Sequence, residues 1–573
     1  MRRSRNSDNE VEGHFCAWRR CLHAEQWIPT EAAFPTFRLA LAVQTIGHRL
    51  KALATTHGSK PAVIYGDHVL SFAELAADAR RVASALAALG VSKGTRVGIL
   101  MPNRPDFLRC AFGAWRLGAI VVPLNTLWRS AELSYALAHA DVAVLFMVSR
   151  FLRNDYLGML LDRCPELAQP ARPLHTEALP CLRHVVCQGD DVPPGAHAWE
   201  DFLATGEPGS TPWSVASLDA VASTDDATIF FTSGSTATPK GVVHTHASML
   251  AAADNVADRL GLTADDRTYG YLPLFFNGGL VGVTLATLSA GGTVLLQDVF
   301  DADETIHLLE QHRCTTLFAW PHQAEAMIRH PAFDRTRLQI RKGPGANTNW
   351  ATALFQPDHQ AVGTWGMSET GPMASSSRWD DALTDRAGAH GRPMPGLEMR
   401  IVDPETNVPL PADREGELVV RGRSLMRTYY KREPRECFDA EGFFHTGDCG
   451  RIDARGWLHF VGRIKDVIKT AGVNVAAAEI EAALMQHPSV KVAHVVPVPH
   501  PTRGENVGAF VVPRGSGCSA ADLQAHCREA LASYKVPRHF FFVEEKELPT
   551  LGSGKVDRQA LRARAAELAQ GDA

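Results

Sequence analysis

Helices and strands alternate along the first half of the chain, and this alternation restricts the fold more than any other feature. Apolar residues recur at helical spacing from Phe72 to Leu89, with Ser71 as a suitable N-cap and Gly90 as a stop. The apolar run Arg96–Met101 then predicts a buried strand. The same succession is predicted at 107–117 (helix), 119–122 (strand), 130–139 (helix), 142–146 (strand), 303–312 (helix), 315–320 (strand) and 323–329 (helix). Because parallel strands need helical crossovers, this pattern predicts an α/β fold built mainly from parallel βαβ units.

The pattern changes in the second half and indicates a division into domains. The region from Met399 to Gly422 reads as short β segments with turns, and a smaller α+β unit begins after Gly462. The region from Asp190 to Ser217 is rich in proline, glycine and alanine and is predicted to be a surface connection. The domains expected from this reading are an N-terminal extension (1–35), a large N-terminal domain (36–462), a hinge (463–466) and a C-terminal domain (467–573).

Composition excludes some classes of function. A formal net charge of -5 with 21% charged residues gives no electrostatic basis for binding nucleic acid or an anionic membrane surface. The 11 cysteines lack a regular spacing, which favours a reducing compartment and a cytoplasmic location over a disulfide framework. The uncharged stretch from Thr268 to Gln297 is interrupted by Pro273 and several glycines, so buried strands and a core helix are predicted there instead of a transmembrane helix.

A loop rich in hydroxyl side chains follows the buried strand predicted at Thr228–Phe231. Residues 232–241 read Thr-Ser-Gly-Ser-Thr-Ala-Thr-Pro-Lys-Gly and contain no apolar side chain larger than alanine. Backbone N–H groups, hydroxyls and Lys240 together suit the binding of an anion such as phosphate. The spacing is not that of a Walker loop, and a surface linker is the alternative from this segment alone.

Four further polar motifs follow along the chain. Glu369 stands among hydroxyls in Thr364–Gly371, which suits a hard cation such as Mg²⁺, with a helix N-cap as the alternative. Asp448, expected in a turn, has the chemistry to accept both hydroxyls of a ribose, or it bonds its own backbone. Charges gather at Gly462–Asp466, and a glycine-rich loop presents Lys555; a solvated linker and a surface turn are the respective alternatives.

In this set and order, the motifs resemble those of the adenylate-forming (AMP-binding) superfamily, in its acyl-CoA synthetase branch. The resemblance extends from about Thr56 to Leu561. It implies that the βαβ units form a large N-terminal domain with a small β-barrel-like subdomain, followed by a smaller, mobile α+β C-terminal domain. It also implies ATP, Mg²⁺ and coenzyme A as ligands, Lys555, Glu369 and Thr232 as catalytic residues, and Glu369 as the metal ligand.

The resemblance further implies which residues contact ATP. The expected ATP-binding residues are Thr232, Ser233, Gly234, Ser235, Thr236, Lys240, Gly345, Ala346, Asn347, Trp365, Gly366, Met367, Ser368, Asp448, Arg463 and Lys555. The hydroxyl-rich loop is expected on the β- and γ-phosphates, Trp365 (usually a tyrosine) against the adenine, and Asp448 on the ribose. Lys465 is the expected hinge residue, and Lys469 and Gly472 lie on the face expected to serve the CoA step.

The implied reaction has two steps. A substrate carboxylate attacks the α-phosphorus of ATP and releases pyrophosphate, which leaves an acyl-adenylate. A thiol, that of coenzyme A, then takes the acyl group and AMP leaves. Because Lys555 serves the first step and must then vacate the site, a rotation near Lys465 is expected between the two steps.

The segment 272–279 is expected to border the acyl pocket, with lining residues Phe275, Phe276, Asn277 and Gly278. It carries no acidic side chain to pair with a substrate ammonium, so an acid with an uncharged tail is favoured. Phe276 stands where many relatives have histidine, and Gly278 and Gly279 are expected to leave room for a chain or ring. A medium- or long-chain fatty acid is the leading substrate. The alternatives are an aryl or alicyclic acid, the loading of an acyl carrier protein, or a non-catalytic binding protein that retains the fold.

Overall fold

Two sheets of largely parallel strands form the centre of the large N-terminal part, as the helix–strand alternation predicts. The computed structural model describes residues 44–170, 172–206, 220–232, 239–346, 348–464, 467–470, 473–500, 504–515, 517–531, 535–551 and 555–571. The predicted N-terminal extension therefore lies outside the described residues.

The larger of the two sheets has eight strands. Their spatial order is Thr428–Tyr429, Lys240–Thr245, Asp226–Thr232, Ile120–Pro123, Arg96–Leu100, Val144–Val148, His184–Gln188 and His197–Ala198. The pairs from Asp226–Thr232 to His197–Ala198 are parallel, and the first two pairs are antiparallel. The six inner strands of this sheet are mostly buried, in keeping with their largely apolar sequences, whereas the two outer strands are half-buried.

The second sheet has five strands and its own core. Their order is Thr316–Phe318, Arg267–Gly270, Thr293–Leu296, Pro61–Tyr65 and His68–Ser71. All pairs are parallel except the last, which is a hairpin.

Helices cover these sheets, and local signals set their ends. Phe72–Ala88 begins at Ser71, whose hydroxyl and the Glu74 carboxylate form a capping box, and Gly90 follows its end at φ +82°. The α-helices are Ile46–Thr56, Phe72–Ala88, Pro105–Arg116, Ser130–His139, Tyr156–Leu161, Trp199–Ala204, His246–Leu260, Ala286–Ser289, Ala302–Gln311, Pro321–Arg329, Asn349–Leu354, Leu383–Gly388, Ala477–Met485, Ala520–Ala530 and Arg558–Gly571. Short 3₁₀ turns occur at Pro165–Ala168, Arg335–Arg337, Pro434–Glu436 and Glu545–Glu547.

Two segments differ from or refine the prediction. The region 190–217 is not only a connection, because the strand His197–Ala198 and the helix Trp199–Ala204 lie within it, and Trp199 and Phe202 pack on Phe146. The uncharged stretch around residues 268–297 contains two buried strands and a π-helix, Gly278–Leu285. Of the helices that the structure describes, none combines the length and the apolar composition needed to span a bilayer.

Smaller antiparallel sheets follow. A three-stranded sheet is formed by Thr364–Met367, Gly371–Ser376 and Arg392–Pro393. A four-stranded meander is formed by Leu397–Val402, Gly416–Gly422, Phe444–Ile452 and Leu458–Arg463. A two-stranded ribbon joins Arg150–Phe151 and Asn154–Asp155. The meander and the three-stranded sheet carry five of the predicted site residues, which are Trp365, Gly366, Met367, Asp448 and Arg463.

The C-terminal part is the α+β unit that the sequence predicts. Its strands follow the order Val473–Ala476, Val467–Thr470, Gly504–Pro513 and Val490–His500, with His539–Phe542 parallel to Gly504–Pro513. Helix Ala477–Met485 packs on this sheet through Ile480 and Leu484, both fully buried.

Candidate active site

A tight hairpin presents Glu369. Strands Thr364–Met367 and Gly371–Ser376 pair antiparallel, and Met367 and Thr370 exchange hydrogen bonds across the turn. The helix N-cap considered for this motif is therefore wrong, since no helix begins here. Glu369 is only 7% exposed at the tip of a hairpin, an unusual place for a carboxylate without a function.

Two side chains hold the carbonyl group next to Glu369. The Nε2 atom of His244 donates to the Ser368 carbonyl at 2.7 Å, and the Asn277 amide donates to the same oxygen at 3.1 Å. Burial lowers the pKa of His244 to about 4, so its imidazole is neutral and the Nε2–H is fixed by its carbonyl partner. Asn277, predicted to line the acyl pocket, thus also positions the hairpin.

Asp448 lies within a strand, which corrects the predicted turn. It belongs to Phe444–Ile452, and Gly447 before it has φ +69°, a conformation that favours glycine. The Asp448 carboxylate is 3% exposed and accepts a hydrogen bond from Trp365 Nε1 at Oδ2, 2.9 Å away. Arg463 Nε lies 2.8 Å from the other oxygen, Oδ1, for which the described part of the chain offers no aligned hydrogen-bond donor. Burial raises the pKa of Asp448, while the Arg463 charge and the Trp365 hydrogen bond oppose that rise.

Lys555 lies near the ion pair of Asp448 and Arg463. The Lys555 side chain is exposed at the surface, but the surrounding protein partly desolvates its ammonium group and lowers its pKa. The positive charge of Arg463 lowers the pKa of Lys555 further. Arg463 itself donates to the Thr446 carbonyl at 3.0 Å. Lys555 is therefore close enough to Arg463, which pairs with the buried Asp448 carboxylate, for their charges to interact.

Tyr429, which no sequence motif marks, contacts both Glu369 and Lys240. Its hydroxyl donates to Glu369 Oε1 at 2.9 Å, and the Lys240 Nζ lies 4.8 Å from the centre of its ring. Burial and the adjacent Glu369 carboxylate raise the pKa of Tyr429, so the hydroxyl keeps its proton and remains a donor. A Tyr-Tyr pair before basic residues carries no recognisable signal for such a contact.

The hydroxyl-rich loop connects two paired strands. Thr232 at its start and Lys240 at its end are partners in the antiparallel pair Asp226–Thr232 and Lys240–Thr245. The loop residues Ser233, Gly234, Ser235 and Thr236 lie outside the described residues, as do Asn347, Lys465 and Gly472. For Lys469 the structure describes only the backbone, in the strand Val467–Thr470.

The segment predicted to contact adenine is a turn beside the strand that carries Trp365. The N–H groups of Gly345 and Ala346 both donate to the Val362 carbonyl, at 2.9 and 3.1 Å. Val362 comes shortly before Trp365, Gly366 and Met367 in the chain, so this turn and the predicted adenine residues share one scaffold.

Aromatic side chains contact one another at the segment predicted to border the acyl pocket. Phe275 and Phe276 contact each other with ring centroids 4.6 Å apart, and Phe276 packs edge-on against Trp320 at 6.3 Å. Gly279 does not leave room for substrate as predicted, because a Cβ there would lie 2.2 Å from the Pro273 carbonyl. Its hydrogen faces the chain's own backbone instead of a cavity.

Family models match both the N-terminal and the C-terminal parts of the chain. The family model for AMP-binding enzymes matches residues 50–430, and the model for the AMP-binding enzyme C-terminal domain matches residues 479–555. The chain is 33% identical over 512 residues to a feruloyl-CoA synthase of Amycolatopsis sp., covering 88% of this chain and 95% of that protein. It is 29% identical over 547 residues to a mitochondrial medium-chain acyl-CoA ligase of Rattus norvegicus, covering 91% and 88%.

A solved structure shares the fold over nearly the whole length. An anthranilate CoA ligase in complex with anthranoyl-AMP matches with a TM-score of 0.79 and 25% identity, over 92% of this chain and 98% of that chain. The architecture expected from the sequence is thereby confirmed. The chain belongs to the AMP-binding enzyme family, in which it is an AMP-forming ligase of the acyl-CoA synthetase branch.

Proposed function

We propose that this protein is an ATP-dependent ligase that joins a carboxylic acid with an uncharged tail to coenzyme A. The observation that carries the proposal is the contact of Trp365 and Arg463 with the buried Asp448 carboxylate. The charge of Glu369 acts on Asp448, and that of Arg463 acts on Lys555, although these residues come from three separate segments of the chain. A buried carboxylate suited to a ribose, a second one suited to a hard cation, and two cations suited to phosphates are the groups that adenylation needs.

The proposed roles follow from the chemistry of each group. Asp448 accepts ribose hydroxyls, and Trp365 contacts the adenine and orients Asp448. Lys555 and Arg463 stabilise the negative charge that develops as the acid attacks the α-phosphorus. Thr232 and Lys240 bind the departing pyrophosphate from the two ends of the hydroxyl-rich loop.

Glu369 fits a role as a magnesium ligand. Its Oε1 accepts a hydrogen bond from Tyr429, and no described residue donates to its Oε2, so one hard oxygen remains for a cation. No cluster of three or more metal-binding side chains occurs in the described part of the chain. A Mg²⁺ ion at Glu369 would therefore take its other ligands from water and ATP, and it would neutralise phosphate charge when bound.

The second step is proposed to follow a rotation of the C-terminal part at the hinge 463–466. The strand Leu458–Arg463 ends at this boundary, and Val467–Thr470 begins just after it. Rotation would remove Lys555 from the site and present the face that carries Lys469 and Gly472 to the thiol.

The pocket segment favours an apolar acid. Phe275 is 5% exposed and Phe276 lies between it and Trp320, so the described side chains offer aromatic surface and no carboxylate. A medium- or long-chain fatty acid remains the leading candidate, and the rat relative is named for a medium-chain acyl substrate. The aromatic surface of Phe276 and Trp320 favours an aryl acid as the second candidate, since aromatic rings pack well against a planar aromatic substrate.

Acid-dependent exchange of pyrophosphate with ATP tests the first step. A panel of fatty, aryl and alicyclic acids is expected to support exchange with at least one member, and no exchange with any acid would refute adenylation. Release of free acyl-CoA on addition of CoA then separates CoA ligation from transfer to an acyl carrier protein. Exchange without acyl-CoA formation would favour the carrier protein.

A further inference from the structure

Tyr429 reaches two parts of the proposed phosphate site from one short strand. Its backbone pairs with Val242 in the neighbouring strand Lys240–Thr245. Its half-buried side chain crosses to the hairpin that carries Glu369, where the hydroxyl forms a 2.9 Å hydrogen bond. The strand pairing fixes the position of the Tyr429 backbone, and the hydrogen bond fixes the position of its hydroxyl group.

The hydrogen bond restricts the Glu369 carboxylate. Among the described residues, Tyr429 is the only one that donates to a Glu369 side-chain oxygen. A glutamate at a hairpin tip has three side-chain torsions, so a single donor at Oε1 decides the direction in which Oε2 points. Partners of this kind orient metal-binding carboxylates, and their loss commonly weakens metal binding by about 10- to 100-fold.

The ring of the same residue contacts Lys240. The ammonium lies 4.8 Å from the ring centre, within the range of a cation–π interaction. Lys240 is half-buried at the end of the hydroxyl-rich loop, opposite Thr232 in the strand pair. The ring therefore keeps the cation next to the loop without neutralising its charge, as an acidic partner would.

We propose that Tyr429 is a positioning residue that holds Glu369 and Lys240 in the arrangement that binds magnesium-complexed ATP. This inference rests on the proposed function and adds to it a residue with two separable contributions. The hydroxyl serves the metal-binding carboxylate, and the ring serves the lysine.

Two substitutions separate these contributions. Tyr429→Phe removes the hydroxyl and keeps the ring, with little change in packing volume. Tyr429→Leu removes both. Tyr430→Phe is the matched control, because the hydroxyl of Tyr430 donates to Asp141 at 3.0 Å, away from Glu369.

Calorimetric titration of the full-length protein with ATP, without any acid, provides a readout independent of turnover. Each variant is titrated once with excess Mg²⁺ and once with EDTA. We expect Tyr429→Phe to reduce the gain in affinity that Mg²⁺ confers by about tenfold, with little effect in EDTA. Tyr429→Leu is expected to weaken binding in EDTA as well, and Tyr430→Phe to match the wild type.

Other results overturn the inference in distinguishable ways. A Tyr429→Phe protein with the wild-type response to Mg²⁺ would show that the hydroxyl does not orient Glu369. If Tyr429→Phe lost the same factor of ATP affinity with Mg²⁺ as with EDTA, the hydroxyl would have a merely structural role. If the wild type binds no ATP in either condition, the proposed function fails, and this inference fails with it.

Discussion

Replacing Trp365 with phenylalanine is expected to weaken the ribose site while keeping an aromatic face for the adenine. The change removes the Nε1–H that donates to Asp448 Oδ2 over 2.9 Å. Both partners are almost fully buried, at 6% and 3% exposure, so water cannot easily replace the lost donor. A hydrogen bond to a charged group under these conditions contributes about 1.5–3 kcal/mol.

Two measurable effects follow from this magnitude. The free energy of unfolding of the unliganded protein should fall by about 2–4 kcal/mol, because the smaller ring also leaves a cavity. The pKa of Asp448, already raised by burial, should rise further, because the Trp365 hydrogen bond opposes that rise. Ribose binding needs the ionised Asp448 carboxylate. The binding is therefore present at a pH above the pKa of Asp448 and is lost as the pH falls below that pKa. In the variant, the KM for ATP should therefore begin to increase at a higher pH.

Urea unfolding and the pH dependence of the KM for ATP in the exchange assay measure these two effects. Trp457→Phe is the matched control, since Trp457 is 2% exposed and its Nε1 has no hydrogen-bond partner among the described residues. Both variants lose a buried indole, but only Trp365→Phe loses a hydrogen bond to a carboxylate. If Trp365→Phe is no less stable than the control and its pH profile matches the wild type, the assigned role of Trp365 is wrong.

Three other predictions concern the lysine, the acyl pocket and acid stability. Lys555→Ala should reduce acid-dependent exchange by at least about 10²-fold, yet leave thiolysis of supplied acyl-adenylate largely intact; equal loss in both assays would contradict its role. Phe276→Ala should remove the contact with Trp320 and lower kcat/KM for the acid by about tenfold, without changing the KM for ATP in the same kinetic assay. Burial lowers the pKa values of His244 and His246 to about 4, so the unfolded chain binds more protons than the native state below about pH 6.5. The free energy of unfolding, measured in urea, should therefore fall by about 1.4 kcal/mol per pH unit for each histidine between about pH 6 and 4, and equal stability at pH 7 and 5 would contradict this.

The sequence predicts the helices and strands well where their signals are local. The helix Ser130–His139 has the predicted bounds, and Phe72–Ala88 ends within one residue of the prediction. The helix Trp199–Ala204 was missed because it is short and its neighbours are rich in proline and glycine. The core helix predicted between residues 268 and 297 is present as the π-helix Gly278–Leu285, but its π type was not predicted, since an apolar run shows burial but not the hydrogen-bond pattern of the backbone.

The site residues were predicted through motifs, whereas their partners depend on the packing of distant segments. His244 reaches Ser368 across 124 positions of sequence, and Tyr429 reaches Glu369 across 60. Sheet order decides such contacts, and no local pattern encodes it. The turn predicted at Asp448 was wrong for a related reason. A Gly-Asp pair is typical of turns, and the pairing of this segment with adjacent strands is not visible in the local sequence. Because of that pairing, Gly447 is a left-handed residue inside a strand.

The closeness of Lys555 and Arg463 has a consequence for the order of the proposed reaction. The positive charge of Arg463 lowers the pKa of Lys555, and the two like charges repel each other less when an anion lies between them. ATP supplies that anion, and the departure of pyrophosphate removes most of it. The electrostatic work needed to keep the lysine in place then rises, which favours its withdrawal once adenylation is complete. In the proposed reaction, adenylation would therefore itself favour the conformational change that follows it.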